Sequence, residues 1–352
     1  MPEAEVLVDL TAVRANVKLL GEAAGSAALM AVVKAAGYGH GAPEVARTAL
    51  DAGASWLGVC YVEEALELRD AGLTAPVLAW LTSPDTPWSA ALEQDVDVSV
   101  NSLAALAAVC AAARSAGVVA RLHLEVDTGL GRGGVPMTAW PALAAAAAGA
   151  ERSGAVRVVG IWSHLACADM PGHASVPAQL AAYREALRTG TRVGLRPDLR
   201  HVANSAATLL HPAARFDLVR PGIALYGIPP VGGSPCGLRP AMTLRTVVAS
   251  VGRRAEGLVA VLPVGQRDGL LHASRGAEVL IGRSRYRVAG RVGVDHTRVW
   301  VDERVRPGDE VVVFGPGDRG EPTAEDWAGW AGTIGHEVIT HVGDRVPRRY
   351  VR

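Results

Sequence analysis

The chain has 352 residues, 49% of them hydrophobic and 20% charged, with a formal net charge of zero. That is the composition of a folded globular protein, long enough for a barrel and a second domain. It excludes a nucleic-acid surface built on excess positive charge, since no Lys/Arg-rich block occurs.

The opening stretch MPEAEVLVDL has no basic n-region and no apolar h-region, so no signal peptide is expected. Strand-like runs follow at 28-ALMAVVKA-35, 56-WLGVC-60, 76-PVLAWL-81, 96-VDVSV-100, 119-VARLHLEV-126, 156-VRVVGIW-162, 200-RHVA-203 and 217-DLVR-220. They are near-continuously apolar, as strands of a parallel sheet covered on both faces are. Helical stretches lie between them at 62–72, 101–117 and 178–190. In the first, Leu66 keeps the apolar period, Asp70 the polar face, and Gly72 is a stop. The alanine-rich stretch 102–117 is cut by Arg114 and is too short to span a bilayer, so no membrane partner is expected. Eight strand–helix units predict an α/β fold, a (β/α)8 TIM barrel over residues 1–235. A doubly wound sheet is the alternative, but no GxGxxG follows the first strand.

The Pro/Gly-rich stretch 227-GIPPVGGSPCGLRP-240 reads as a linker. Beyond it, short valine-rich runs at 244–251, 258–264, 278–282, 286–294, 298–301 and 310–315 predict an all-β domain over 236–352. Cys60, Cys110, Cys167 and Cys236 lie far apart without a CxxC, so neither a disulfide framework nor a metal site is expected. These features together point to a cytoplasmic protein.

A barrel of this kind gathers functional residues at the C-terminal ends of its strands. Lys34 ends the first strand, and only Lys18 and Lys34 are lysines in this arginine-rich chain. The arginine excess fits a high-GC coding bias, so lysine scarcity by itself is a weak pointer. Glycines at 37, 39 and 41 let backbone approach a ligand closely. An amine there, out of bulk water, can attack a carbonyl. A surface lysine at a strand end is the plain alternative. The fifth strand runs into 127-DTGLGRGG-134, with Asp127 and Arg132, and the sixth ends near His164. A lone histidine there is as readily structural. The seventh gives 204-NSAAT-208 and the eighth 219-VRPGIALYG-227. Asn204 and Ser205 read first as a helix cap. That cap, with the N–H groups of Gly222 and its neighbour, would also hold a phosphate. A carbonyl-reactive amine and a phosphate site together fit pyridoxal 5'-phosphate.

At this point the residues resemble a known family. The stretch 31-AVVKAAGYGHG-41 is similar to the cofactor-lysine motif of alanine racemases, the fold-type III pyridoxal-phosphate enzymes. The likeness continues through 122-LHLEVDTGLGRGG-134, 160-GIWSHLACAD-169, 201-HVANSAATL-209, 216-FDLVRPGIALYG-227 and 329-GWAGTIGHEVITHVGDRVPRRYV-351. The resemblance implies that Lys34 carries the cofactor on its amine and serves as base on one face of the substrate α-carbon. It implies that Tyr38, Asn204, Ser205, Gly222, Ile223 and Tyr350 form the phosphate end. Arg220 would face the pyridine nitrogen, Arg132 would sit near the cofactor's phenolic oxygen and the substrate carboxylate, and His164 would pack by the ring. It further implies a homodimer whose β-domains complete each other's sites, with an amino acid as substrate.

The chain departs from the family pattern at several positions. Gln266, in 263-PVGQRDGL-270, stands where the family carries its second base, a tyrosine. An amide takes up or releases no proton near neutral pH. Acid–base help of this kind contributes roughly 10²–10⁴-fold, so ordinary two-base racemisation of alanine is expected to be weak or absent. Glu125 replaces a lysine, and its charge could serve Arg132 instead. In 290-GRVGVDH-296, Val294 replaces a methionine beside the substrate carboxylate, while Asp295 remains. The segment before Pro263 is short, and Ala36 stands where the lysine motif has Asp or Asn.

Three readings follow. The first is an enzyme acting at an amino acid α-carbon. It could be a racemase whose second face is served by water, His296 or Asp268. It could also use one face only, for decarboxylation, elimination, transfer or retro-aldol cleavage. The second is a non-catalytic pyridoxal-phosphate binder, and the third a structural homologue without cofactor.

Overall fold

The computed structural model describes residues 4–83, 85–232, 236–272, 274 and 276–352. The first strand, β1, spans Ala4–Asp9. The apolar runs then form β2 (Ala28–Val32), β3 (Trp56–Val59), β4 (Val77–Ala79), β5 (Asp97–Val100) and β6 (Ala120–Asp127). A two-residue strand β7 (Val135–Pro136) precedes β8 (Val156–Trp162), β9 (Leu199–His201) and β10 (Leu218–Val219).

The order β10-β2-β3-β4-β5-β6-β8-β9 is parallel throughout, with β7 paired on β6 outside that path. Two backbone bonds join the ends, Asp217 N–H to Arg200 at 3.0 Å and Arg220 N–H to Ala203 at 2.8 Å. The sheet is therefore closed, the eight-stranded barrel that the alternating runs predict. Helices wrap it where the sequence places them. Val62–Asp70 ends before Gly72, whose φ of 80° stops a helix at little cost. Leu103–Ala116 starts on Ser102, whose hydroxyl accepts the Ala105 N–H at 3.1 Å, and stops at Gly117. Ser175–Arg192 covers the predicted 178–190.

The β-domain contains β11 (Met242–Val247), β12 (Ser250–Arg254), β13 (Gly257–Leu262), β14 (Glu278–Ile281), β15 (Ser284–Arg287), β16 (Thr297–Val301), β17 (Glu310–Phe314) and β18 (Arg348–Val351). One sheet runs β15-β14-β17-β11-β1-β18 and a second β12-β13-β16. Strand β1 lies in the first of these, antiparallel to β11 and parallel to β18, so both ends of the chain meet in the β-domain. The run 286–294, expected as one strand, stops at Arg287. Gly290 adopts a φ of 87° there, and only an isolated bridge, Val288 to Val299, continues the pairing. Helices Ala324–Ala331 and Gly335–Thr340 add to the strands of this domain. Of the predicted linker, residues 233–235 lie outside the described residues. Among the described residues, no helix is long and apolar enough to cross a membrane.

Candidate active site

Lys34 leaves β2 at the C-terminal mouth of the barrel. Directly after it the backbone makes a left-handed turn, with φ of 52° at Ala35, 50° at Ala36, 64° at Gly37 and 50° at Tyr38. Three of these are not glycine, and such residues enter this region only at a cost. The turn is held by Gly37 N–H to Val33 at 2.8 Å and Gly41 N–H to Ala36 at 2.7 Å. Glu64, which the sequence reading passed over, braces it from the side, accepting Ala35 N–H at 2.6 Å and Cys60 N–H at 2.7 Å. Gly39 gives the close approach expected of it, since a Cβ there would lie 2.6 Å from the Ile339 carbonyl. The Lys34 amine stands 5.9 Å from the centroid of the Tyr38 ring.

The residues expected at a phosphate converge. Ser205 opens a short helix that Asn204 caps, its side chain accepting Ala207 N–H at 3.0 Å. Asn204 thus does what a cap residue does. The Ser205 hydroxyl faces the turn of Ile223–Tyr226 and accepts Gly222 N–H at 2.9 Å and Ala224 N–H at 3.3 Å. A side chain at Gly222 would put its Cβ 2.5 Å from the Tyr38 hydroxyl, and one at Gly41 would collide with the Tyr350 hydroxyl. Tyr350 arrives from β18, paired opposite Val8. Burial, with Glu44 nearby, pushes its phenol up to about 12. Two glycines therefore keep open a space bordered by hydroxyls and backbone N–H groups, and that donor set fits a phosphate.

Arg220 follows β10 and is buried. Its guanidinium donates to His201 Nδ1 at 2.9 Å and to the Ser163 carbonyl at 2.8 Å, and it lies 4.9 Å from the Trp162 ring centroid. Burial pulls it down to about 10, so it stays cationic at neutral pH. His164 is driven to about 3 by burial and by the charges of Arg220, Arg132 and Lys34, which leaves it neutral. Arg132 is exposed, on the loop whose amides at Gly129, Leu130 and Gly131 donate to Asp127. Glu125, at the end of β6, is buried beside Gly133. Burial pushes its carboxyl up to about 7 against the pull of Arg220, Asn101 and Arg132.

A second group sits on the β-domain. Gln266 and Arg267 donate their backbone N–H groups to Gly293 and Val294, both at 2.9 Å, so the loops around 266 and 294 form one unit. The Gln266 side chain donates to the Val292 carbonyl at 3.0 Å and meets His272 Nδ1 at 3.0 Å. Val294 is exposed, as is Asp295, whose carboxylate is 2.8 Å from His296. Asp268, weighed above as a proton carrier, is buried and accepts Gly265 N–H at 2.8 Å and Arg345 at 2.5 Å. Both its oxygens hold the loop, which argues against that role.

The structure thus brings Lys34, Tyr38, His164, Ser205, Arg220, Gly222 and Tyr350 to the barrel mouth, and Gln266, Val294 and Asp295 to the β-domain. Glu64, Cys60, Ser163, Trp162, His201 and His336 were missed. His336 is partly buried close enough to Lys34 for that charge, after burial itself, to lower its proton affinity.

An amine and a phosphate cradle at one barrel mouth are what a pyridoxal-phosphate-dependent enzyme requires, and barrel and site assign the chain to that class. The comparisons narrow it. Residues 8–230 match the family described as alanine racemase, N-terminal domain, and residues 249–350 its C-terminal domain. The chain is 50% identical over 366 positions to the alanine racemase of Frankia casuarinae, covering 98% of this chain and 95% of that one. It superposes on the alanine racemase of Streptomyces coelicolor with a TM-score of 0.97 at 48% identity, covering 99% and 98% of the two chains. For that of the D-cycloserine-producing Streptomyces lavendulae the values are 0.96 and 46%, over 99% and 97%. The chain belongs to the alanine racemase family, whose cofactor is pyridoxal 5'-phosphate.

Proposed function

We propose that the protein racemises a small amino acid, alanine first among the candidates. Relatives half identical over nearly the whole chain, named alanine racemase, support this reading more than any single residue does. They favour ordinary racemisation over the weak activity that Gln266 suggests. The bound cofactor supplies an electron sink for charge developing at the substrate α-carbon. Lys34 holds the cofactor and carries the proton on one face. Ser205, Tyr38, Tyr350 and the N–H groups of Gly222 and Ile223 hold its phosphate, with Asn204 fixing Ser205. Arg220 faces the ring as a permanent cation, His164 packs beside it, and Arg132 takes the substrate carboxylate. Two subunits share each site, so that Gln266, Val294 and Asp295 border the pocket of the partner. A cytoplasmic location and a division at about residue 235 into a barrel and a β-domain, corrected at β1 (Ala4–Asp9), which belongs to the β-domain's sheet, complete the proposal.

Gln266 favours a second reading, one-face chemistry at the α-carbon, because its amide exchanges no proton. Both readings are separated by incubating the purified holoenzyme with L- or D-alanine in heavy water. Racemisation with deuterium at the α-carbon is the expected result. Exchange with retained configuration would replace it with the one-face reading. No exchange with alanine or any other amino acid would leave a non-catalytic cofactor binder. Loss of the visible cofactor band in Lys34→Ala would confirm the attachment point.

A further inference from the structure

Branched apolar side chains ordinarily fill a (β/α)8 barrel. This barrel holds instead a column of polar residues. Asp97, His123, His201 and Arg220 are exposed by only 1%, 0%, 0% and 5%. Arg121 donates from Nε to Asp97 Oδ1 at 2.7 Å and from Nη2 to Oδ2 at 3.1 Å. Asp97 Oδ2 is 3.2 Å from His123 Nε2, His123 Nδ1 is 2.8 Å from His201 Nε2, and His201 Nδ1 is 2.9 Å from Arg220 Nη1. Asp97 begins β5 and Arg220 follows β10, so the column runs from the N-terminal end of the barrel to its C-terminal mouth.

Its direction is fixed by chemistry. Arginine has donors and no acceptor. His201 Nδ1 therefore presents a lone pair to Arg220, and the His201 proton sits on Nε2. That proton is given to His123 Nδ1, so the His123 proton sits on Nε2 and is given to Asp97. Arg121 closes the far end on the same carboxylate. The hydrogen-bond directions hold each imidazole in one tautomer. Buried polar groups are costly unless all are paired, and here each has its partner. Gly160, opposite His123 in the β6–β8 register, makes the room, since a side chain there would collide with the imidazole. Trp162 stacks on His201 with ring centroids 6.0 Å apart, and Trp56 meets His123 edge-on at 5.5 Å.

We propose that Asp97 and His123 are positioning residues of the cofactor site: through them His201 keeps the tautomer that accepts from Arg220, which fixes the guanidinium against the cofactor ring. The proposal rests on Arg220 facing that ring. With the column cut at His123, the His201 proton has no acceptor on Nε2. Moved to Nδ1, it meets an Arg220 N–H, donor against donor, and the guanidinium turns away. Asp97→Asn reverses the column more subtly. Arg121 can only donate and so claims the amide oxygen, leaving the NH₂ to face His123.

Three variants test this. His123→Leu cuts the column with similar volume, whereas His123→Gln can accept from His201 and donate to Asp97. Asp97→Asn is the third. Thermal melting establishes which of them fold. In the folded holoenzymes, His123→Leu and Asp97→Asn should shift the visible cofactor band and weaken cofactor binding roughly tenfold, the size expected when a hydrogen bond to a charged group is lost. His123→Gln should keep the wild-type band. Nitrogen-15 spectra of histidine-labelled, cofactor-free protein should show the His201 proton on Nε2 in the wild type and His123→Gln, on Nδ1 in Asp97→Asn, and no longer confined to Nε2 in His123→Leu. If His123→Leu fails to fold, Asp97→Asn is read alone. A folded cut or reversed variant with the wild-type band, affinity and His201 tautomer would overturn the proposal. A wild-type protein without any cofactor band would instead overturn the cofactor site, and the histidine spectra would still decide the column.

Discussion

The carboxylate of Glu64 accepts the amide of Ala35 at 2.6 Å, tying the residue after Lys34 to the helix that follows the next strand. Its other oxygen holds Cys60 N–H at 2.7 Å. A left-handed turn of mostly non-glycine residues persists only where its surroundings over-determine it. Glu64→Ala should cost about 1–3 kcal/mol by leaving the amides of Ala35, Cys60 and Tyr61 without their acceptor. A lower melting temperature together with less cofactor bound per subunit is the expected result. Unchanged cofactor content would show that the turn holds Lys34 unaided.

Ala36 has φ 50° and ψ 42° on an exposed position. Asparagine enters this region more readily than alanine because its short side chain bonds locally. Ala36→Asn should therefore stabilise the protein by about 0.5–1 kcal/mol, read as a higher urea midpoint at unchanged slope. A lower midpoint would mean that the turn is not strained at this residue.

Glu125 gives a pH dependence of unusual sign. Burial lifts its carboxyl to about 7 from an ordinary 4.5. The folded state holds this proton more tightly than the unfolded one, so the contribution is complete below pH 4.5 and is lost as pH rises through 7. In cofactor-free protein, the stability of wild type relative to Glu125→Gln should fall by up to about 3 kcal/mol across that window. Denaturation curves of both proteins at several pH values measure it. A constant difference would place Glu125 in a more polar setting, paired with Arg132.

Gly222 has φ −115° and ψ −88°, outside the helical and extended regions, so backbone and space both oppose a side chain there. The Cβ of Gly222→Ala would press on the Tyr38 hydroxyl at 2.5 Å. Overpacking of this kind costs about 1–3 kcal/mol, which predicts a lower melting temperature of the cofactor-free protein, and displacement of the Tyr38 hydroxyl from the cradle predicts cofactor affinity lowered roughly tenfold. Fluorescence titration with the cofactor measures the loss. Equal affinity would remove Gly222 from the cradle.

Much of the barrel was legible because each parallel strand is buried on both faces and its sequence is correspondingly unbroken in hydrophobicity. Strand ends then pointed to Lys34, Ser205 and Gly222 by position and chemistry, and the family resemblance to Arg220. Glu64 escaped because it acts through backbone amides, and nothing in a helix-forming 62-VEEALELRD-70 marks one glutamate as a brace. His201 and His123 escaped because a buried histidine in a strand looks the same with a partner as without one. Strand β15 was overextended because valines at 288, 292 and 294 continue the composition of a strand while Gly290 turns the backbone.

The pairing of β1 with β11 and β18 reaches beyond the finished molecule. Strand β1 leaves the ribosome well before β11, and longer still before β18. At ordinary elongation rates of roughly 5–20 residues per second, the wait is on the order of tens of seconds. Until β11 is made, the nascent chain carries an apolar strand, AEVLVD, with neither of the neighbours it is shaped for. Residues 236–352 alone would lack β1, the strand that stands between β11 and β18 in that sheet.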